Sequence, residues 1–176
     1  MNRVLRPAAA LVKLRTPKYI IQTSVRKFSE SSAFAMPAYK GGCYCGELKY
    51  TVDISPDDAR TSLCHCKNCK KFFGTAFGLT TKVPISSFSY TSDSKKPTIH
   101  EADNGSGTML HREFCPTCGS GILEVGEPAM KDFRYIMTGT LDHPGDLPPK
   151  GEFFCRRREK WMPEVPGIFH KQEIKE

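Results

Sequence analysis

The stretch Cys64-His65-Cys66-Lys67-Asn68-Cys69-Lys70-Lys71-Phe72-Phe73-Gly74 organises this chain, because it places three thiols within six residues. In an extended segment, residues two apart project to the same side, so Cys64 and Cys66 converge while His65 points away. Cys69 returns toward them from the turn that follows. Three thiolates are one fewer than a closed tetrahedral zinc site needs, and an open fourth position distinguishes catalytic zinc from structural zinc. The stretch therefore predicts a catalytic zinc site with Cys64, Cys66 and Cys69 as its ligands.

Two further cysteine pairs flank this stretch, Cys43-Tyr44-Cys45 before it and Cys115-Pro116-Thr117-Cys118 after it. Together they supply four thiolates for a closed structural site, in which two knuckles distant in sequence clamp one ion and stabilise a small core. The spacing leaves open which pairs share an ion, since Cys43-x-Cys45 could join Cys64-x-Cys66 instead. Buried thiols without metal are the alternative for any one pair. We predict two zinc ions per chain.

The eight cysteines cluster at C-x-C and C-x-x-C spacings, which favours metal binding over a disulfide scaffold. Cys155 stands apart from these clusters, and we interpret it as a small buried residue in a strand. We interpret His65 as a packing or hydrogen-bonding residue beside the central site rather than as a fourth ligand. His111 and His143 are looser candidates, each more simply explained as an ordinary histidine.

The formal charge of +7 belongs to one end of the chain. Beyond residue 29, the remaining 19 Lys and Arg are matched by all 19 Asp and Glu, so the rest of the chain is formally neutral. A neutral body argues against nucleic-acid binding, which requires positive charge for the phosphates. Residues 1–29 contain no acidic residue and seven basic ones: Arg3, Arg6, Lys13, Arg15, Lys18, Arg26 and Lys27.

An Arg-rich, Ser-containing segment without acidic residues is typical of a mitochondrial transit peptide. We predict such a leader over residues 1–35, with a processing site at Arg26-Lys27-Phe28-Ser29 and a location in the mitochondrial matrix. The alternatives are a disordered basic tail, or a start at Met36 that gives a cytoplasmic form. No apolar run reaches the roughly 18 residues that a membrane span needs, so we expect a soluble protein.

Short strands separated by turns, without a long helical period, predict a mainly β domain over residues 39–165. A polar and loose tail is expected over residues 166–176, and Trp161 is expected to pack in the core. The helix predicted within the central stretch spans Lys67–Phe73 and ends at Gly74. The predicted strands are Glu47–Val52, Thr61–Leu63, Thr75–Thr81, Phe88–Tyr90, Thr108–Phe114, Ile122–Val125, Phe133–Thr138 and Glu152–Arg156.

Charge indicates which substrate suits the open zinc position. Zinc with three thiolates carries a net charge of −1 and activates water poorly, whereas a thiol that it coordinates is deprotonated outright. A thiolate held there would attack a small electrophile such as an aldehyde. Lys67, Lys70 and Lys71 could offset the added negative charge and bind carboxylates of the thiol. The alternative is that these lysines form a solvated face.

The chain resembles the glutathione-dependent formaldehyde-activating family, which also includes centromere protein V. The resemblance runs from about Gly42 to about Trp161. The segments that carry it are Gly42-Cys43-Tyr44-Cys45-Gly46, Cys64 through Gly74, Arg112-Glu113-Phe114-Cys115-Pro116-Thr117-Cys118-Gly119-Ser120 and Thr138-Gly139-Thr140-Leu141-Asp142. A departure lies at Gly151-Glu152-Phe153, where relatives often carry a histidine before the aromatic strand, and it bears on the substrate rather than on metal binding.

The resemblance implies a β-tent fold of short antiparallel sheets with two zinc sites. It assigns the structural zinc to Cys43, Cys45, Cys115 and Cys118, and the catalytic zinc to Cys64, Cys66 and Cys69. The implied reaction adds glutathione, as co-substrate, to formaldehyde and gives S-hydroxymethylglutathione, a carbon–sulfur lyase reaction in reverse.

The centromeric relative implies a second hypothesis, a zinc-stabilised binding module without catalysis. The run Arg156-Arg157-Arg158-Glu159-Lys160 would be its nucleic-acid patch. A solvated strand end explains this run equally well, and the neutral body disfavours phosphate binding.

Overall fold

The computed structural model describes residues 37–105 and 107–174, and over these residues the chain forms eleven β-strands and one α-helix. The leader predicted over residues 1–35, its processing site and Met36 lie outside the described residues. The strands are β1 Ala38–Gly42, β2 Lys49–Asp53, β3 Arg60–Cys64, β4 Gly78–Pro84, β5 Phe88–Tyr90, β6 Thr98–Asp103, β7 Met109–Phe114, β8 Gly121–Gly126, β9 Phe133–Met137, β10 Pro149–Phe153 and β11 Phe169–Lys171, and the helix is α1 Lys67–Phe73.

The strands form two sheets, which confirms the mainly β prediction. The smaller sheet has the order β1-β2-β5, and the larger has the order β11-β10-β3-β4-β9-β8-β7-β6. The pairs are antiparallel except that β10 runs parallel to both β3 and β11. The expectation of short antiparallel sheets is therefore wrong for the larger, mixed sheet. Parallel neighbours require long connections, and here residues 65–148 and 154–168 supply them.

The hydrophobic core lies between the two sheets. Tyr50 and Val52 of β2 pack with Val83 of β4 and Ile136 of β9, and all four are at most 1% exposed. Alternate residues of β2 face this core, as the period of two in a strand requires. Burial of this apolar surface is the main stabilising term for the domain.

A chain of buried hydroxyls crosses the core-facing side of the large sheet. Thr61, Thr81 and Thr138 lie on neighbouring elements, and successive Oγ1 atoms are 2.9 Å apart in both contacts. A hydroxyl can both donate and accept, so Thr81 bonds to both neighbours and each of the three buried hydroxyls has a partner.

The opposite face of the large sheet carries α1. Cys64 of β3 pairs with Gly78 of β4, and both project away from the core because the neighbouring Leu63 is buried. A Cβ atom at Gly78 would lie 2.9 Å from the Cβ atom of Cys69 and 2.9 Å from Cε2 of Phe73. The missing side chain at Gly78 therefore lets the helix approach the sheet and brings Cys69 close to Cys64.

The helix prediction is confirmed at both ends. Helix α1 spans Lys67–Phe73, and Gly74 ends it with a φ of 63°, a left-handed conformation that glycine adopts without a Cβ penalty. The strand predicted over Thr75–Thr81 instead begins at Gly78 and continues to Pro84. Pro84 is tolerated there because it lies two residues beyond Lys82, the last residue of β4 that pairs with β3. Its missing N–H therefore breaks no hydrogen bond to β3.

Several predictions at the sheet edges and near the C-terminus are wrong. Strand β6 was not predicted, because an exposed edge strand shows no apolar alternation. The strand predicted over Glu152–Arg156 is β10, which starts at Pro149 and ends at Phe153. Trp161 is 73% exposed rather than buried in the core. The tail beyond residue 165, expected to be loose, contributes β11 to the large sheet.

Over the described ranges, no helix is long and apolar enough to cross a membrane.

Candidate metal centres

The four sulfurs of the flanking cysteine pairs lie together. The Sγ atoms of Cys43, Cys45, Cys115 and Cys118 are all within 4.8 Å of one another. The Cys43–Cys45 and Cys45–Cys115 sulfur distances are 3.5 and 3.7 Å. Tetrahedral zinc with bonds of about 2.3 Å requires sulfurs about 3.8 Å apart. The spacing therefore fits a four-thiolate metal site, and the alternative grouping with Cys64-x-Cys66 is not the one that the fold adopts.

Two tight turns present these four sulfurs. The backbone N–H of Leu48 donates to the Cys43 sulfur at 3.2 Å, where β1 gives way to β2. In the second turn, the N–H of Gly119 donates to the carbonyl oxygen of Cys115 at 2.9 Å, and Gly119 has a φ of 74°. The Ser120 hydroxyl lies 3.2 Å from the Cys118 sulfur and, together with the backbone N–H of Ser120, is the main cause that lowers the pKa of Cys118 to about 5. Groups that stabilise a thiolate in this way suit a metal ligand.

The three sulfurs of the central stretch form a second group. The Sγ atoms of Cys64, Cys66 and Cys69 lie within 4.8 Å of one another, and all three residues are half-buried. Cys64 is the last residue of β3, and Cys66 is the N-cap of α1, where its sulfur accepts the N–H of Cys69 at 3.3 Å. A strand end and a helix start thus hold the three sulfurs in one place.

The charges of these three sulfurs depend on one another. The thiols of Cys64 and Cys69 donate to Cys66 and lower its pKa. The contact with Cys66 raises the pKa of Cys64, and the contacts with Cys64 and then with Cys66 raise the pKa of Cys69. Adjacent sulfurs cannot all ionise unless a cation offsets their repulsion. The donor set therefore fits a soft divalent cation, for which zinc with thiolate ligands is the common case.

Within residues 37–105 and 107–174, no fourth Cys, His, Asp or Glu joins the three-sulfur group. His65 is fully buried, and its Nε2 atom lies 2.6 Å from Oε1 of Glu152, which agrees with its interpretation as a hydrogen-bonding residue beside the site. His111 lies elsewhere, on β7, between the carboxylates of Glu101 and Glu113 at 3.0 and 2.9 Å. His143 is exposed and belongs to neither sulfur group. The three-sulfur group thus offers a metal ion three side-chain ligands, one fewer than the four-sulfur group.

The three predicted substrate lysines lie on α1 and line one cavity. Lys67, Lys70 and Lys71 line a cavity of about 420 Å³ together with His65 and Arg157. The Lys70 ammonium is held by the protein, since it donates to the carbonyl of Arg157 at 2.6 Å and lies 2.5 Å from Oε1 of Glu159. Lys67 and Lys71 are exposed. Two of the three lysines therefore present their charge to solvent at this cavity.

Two groups near the site were not predicted from the sequence. Arg112 and Glu124 pair across β7 and β8 on the face that carries α1, with Nε 3.2 Å from Oε2. The guanidinium carbon of Arg112 lies 4.1 Å from the ring centroid of Phe72 on α1. Burial raises the pKa of Glu124, and Arg112 opposes this effect. Side chains from separate strands meet here, so no sequence spacing could reveal the pair.

Glu152 is the second unpredicted group, and Cys155 lies near it. Glu152 is fully buried on β10 and contacts His65, Arg158 and His170. The departure of the sequence at Gly151-Glu152-Phe153 was the one available signal. Cys155 is buried as predicted, but it begins a 3₁₀ helix rather than lying in a strand. All eight cysteines are free thiols.

Comparison with known proteins places these groups in context. A family model described as glutathione-dependent formaldehyde-activating enzyme matches residues 38–157. An Emericella nidulans protein named "Putative glutathione-dependent formaldehyde-activating enzyme" is 29% identical over 98 residues, which are 52% of this chain and 48% of that protein. The chain thus spans about half the length of this relative. A crystal structure of a Rhodobacter sphaeroides protein has a TM-score of 0.44 and 19% identity, covering 58% of this chain and 87% of that chain.

The family match contains both sulfur groups, because their outermost members, Cys43 and Cys118, lie within residues 38–157. It also extends over more than half of the chain. The chain therefore belongs to the glutathione-dependent formaldehyde-activating family.

Proposed function

We propose that this chain is a zinc-dependent carbon–sulfur lyase that joins glutathione to formaldehyde and gives S-hydroxymethylglutathione or a related adduct. The observation that carries the proposal is the three-sulfur group, which has metal-ligand spacing and no fourth side-chain donor among the described residues. The basic cavity on α1 and the family of the chain support the same function. The four-sulfur group is assigned to a structural zinc.

The proposed reaction forms one carbon–sulfur bond. The sulfur of the thiol loses its proton and attacks the aldehyde carbon, and the electron pair of the C=O π bond moves to the oxygen, which takes up a proton. The reverse reaction breaks the carbon–sulfur bond. When bound by Cys64, Cys66 and Cys69, zinc would lower the pKa of the substrate thiol, so that it reacts as a thiolate.

The residues of the chain supply binding and charge around the reacting sulfur. Lys67 and Lys71 line a cavity with His65, the residue between Cys64 and Cys66, and would bind the carboxylates of glutathione there. Their positive charges also offset the negative charge that a thiolate substrate brings to three thiolate ligands. Phe72 and Phe73 line an adjacent apolar cavity of about 290 Å³ with Met137, which gives the sheet side of α1 an apolar wall.

The basic run near residue 158 does not favour the alternative of a nucleic-acid-binding module. Arg158 is only 16% exposed in its side chain, because it pairs with the buried carboxylate of Glu152 at 2.9 Å. Arg156 pairs with Glu173. Two of the four cations of the run are thus paired within the domain, which reduces the positive charge that the run presents to phosphates.

The test compares one variant from each sulfur group. Adduct formation from glutathione and ¹³C-formaldehyde is followed by NMR exchange spectroscopy, with the spontaneous rate in buffer subtracted. We expect turnover above buffer for the zinc-loaded chain. Cys66→Ser should fold with one zinc and lose turnover, whereas Cys115→Ser should lose its fold, because structural zinc contributes folding free energy.

A wild-type rate equal to the buffer rate would refute the proposed activity. Retention of turnover by Cys66→Ser would refute the assignment of chemistry to the three-sulfur group. Unfolding of both variants would show that the two groups do not divide structural and catalytic roles.

A further inference from the structure

Glu152 is a carboxylate buried without contact to solvent; His65 and Arg158 hydrogen-bond to it, and His170 lies at ion-pair distance. His65 Nε2 lies 2.6 Å from Oε1, and Arg158 lies 3.1 Å from Oε1 through Nε and 2.9 Å from Oε2 through a terminal nitrogen. His170 Nε2 lies at ion-pair distance, 3.1 Å from Oε2, while it donates to the carbonyl oxygen of Val165 at 3.0 Å. A buried carboxylate is stable only when it is paired and hydrogen-bonded in this way. The orientation of Glu152 therefore depends on Arg158 and His170.

Glu152 in turn holds the segment that carries two of the three central sulfurs. His65 lies between Cys64 and Cys66, and its side chain is fully buried. Its Nδ1 atom is buried without a hydrogen-bond partner among the described residues, so the bond to Glu152 is the one that orients the ring. The backbone N–H of His65 also donates to the carbonyl of Phe153 at 3.0 Å. Strand β10 thus fixes this segment at two points.

The side chains that orient Glu152 come from the C-terminal segment 158–171, which lies beyond the family match over residues 38–157. This segment returns to the sheet as β11, where His170 pairs in register with Glu152. Glu164 lies 3.4 Å from Arg158 and 3.6 Å from His170 and links the two cations. The same segment reaches α1, since Glu159 lies 2.5 Å from the Lys70 ammonium.

We propose that segment 158–171 is a positioning element for the three-sulfur group. Arg158 and His170 orient Glu152, and Glu152 holds His65 and with it the spacing of the adjacent sulfurs. Glu159 holds α1, which carries the third sulfur. Side chains that orient the surroundings of a ligand typically change metal affinity about 10–100-fold when they are removed. The proposal rests on the proposed function only in that the three-sulfur group binds zinc.

The test uses the zinc-loaded full chain and measures zinc release to a colorimetric chelator. The zinc equivalent that wild type releases and Cys66→Ser does not is the one bound by the three-sulfur group. Arg158→Met should release this equivalent about tenfold faster than wild type, while the other equivalent keeps its rate. Arg158→Lys retains one cationic donor and should recover part of the difference. Arg156→Met is the matched control, because it removes an exposed arginine two residues away and should behave as wild type.

Circular dichroism and retention of the other zinc equivalent report whether each variant is folded. His170→Gln is the milder second variant, and it decides the matter if Arg158→Met does not fold. The proposal would be overturned if the variants released both zinc ions at the wild-type rates, or if release from both groups were accelerated equally. Because no turnover is measured, a chain that binds two zinc ions without catalysis would refute the proposed activity and leave this test intact.

Discussion

Replacement of Gly78 by alanine is expected to disrupt the three-sulfur group selectively. Gly78 pairs with Cys64, and an added Cβ atom would lie 2.9 Å from the Cβ atom of Cys69 and 2.9 Å from the Phe73 ring. Carbon atoms in contact are about 3.5–4.0 Å apart, so α1 would have to retreat by roughly 0.6–1 Å. Overpacking of this kind costs about 1–3 kcal/mol.

The retreat of α1 should weaken metal binding because Cys69 moves with the helix while Cys64 stays on β3. Zinc titration of Gly78→Ala is expected to show one equivalent bound about tenfold more weakly. Urea unfolding of the zinc-loaded chain gives the loss of stability. Gly121→Ala is the matched control, because its Cβ atom would lie 3.7 Å from Phe72, an ordinary contact. A Gly78→Ala chain that binds both zinc ions normally and keeps its stability to within about 0.5 kcal/mol would refute this reasoning.

Three further predictions concern stability away from the three-sulfur group. Burial lowers the pKa of His111, but its two glutamate partners outweigh this and raise the pKa above its ordinary value. The ion pairs of His111 therefore stabilise the fold by roughly 1 kcal/mol, and this contribution is fully present below about pH 6.5. It is lost as pH rises through the folded-state pKa of His111. The loss of melting temperature in His111→Gln should thus shrink as pH rises, and a loss that grows with pH would contradict the prediction. Thr81→Val leaves the hydroxyls of Thr61 and Thr138 without their hydrogen-bond partner and should lower the free energy of unfolding in urea by about 1–3 kcal/mol. An unchanged free energy of unfolding would contradict the hydroxyl chain. Gly151→Ala places a Cβ atom within the Phe169 ring and should release β11, so unchanged proteolysis of the C-terminal segment would argue against that contact.

Local spacing was sufficient to predict the features whose parts are close in sequence. The three-sulfur group and α1 span eleven residues from Cys64 to Gly74, and Gly74 ends the helix where predicted. The predicted positions of β4 and β10 are three residues off, whereas the other predicted strands, such as β2, were predicted to within two residues. Edge strands β6 and β11 were not, because an edge strand does not need a buried face.

The sequence by itself determined three properties of this protein. These are the grouping of seven thiols into two close pairs and one triplet, the mainly β class of the domain, and the family to which these motifs belong. The spacing of the cysteines left open which thiols share a site, and the tertiary structure decided it, since Cys45 and Cys115 are 70 residues apart and meet at 3.7 Å. It also decided that Glu152 reaches His65, with Arg158 and His170 around it. Such contacts arise from strand order and parallel register, and these depend on the whole sheet rather than on any local pattern.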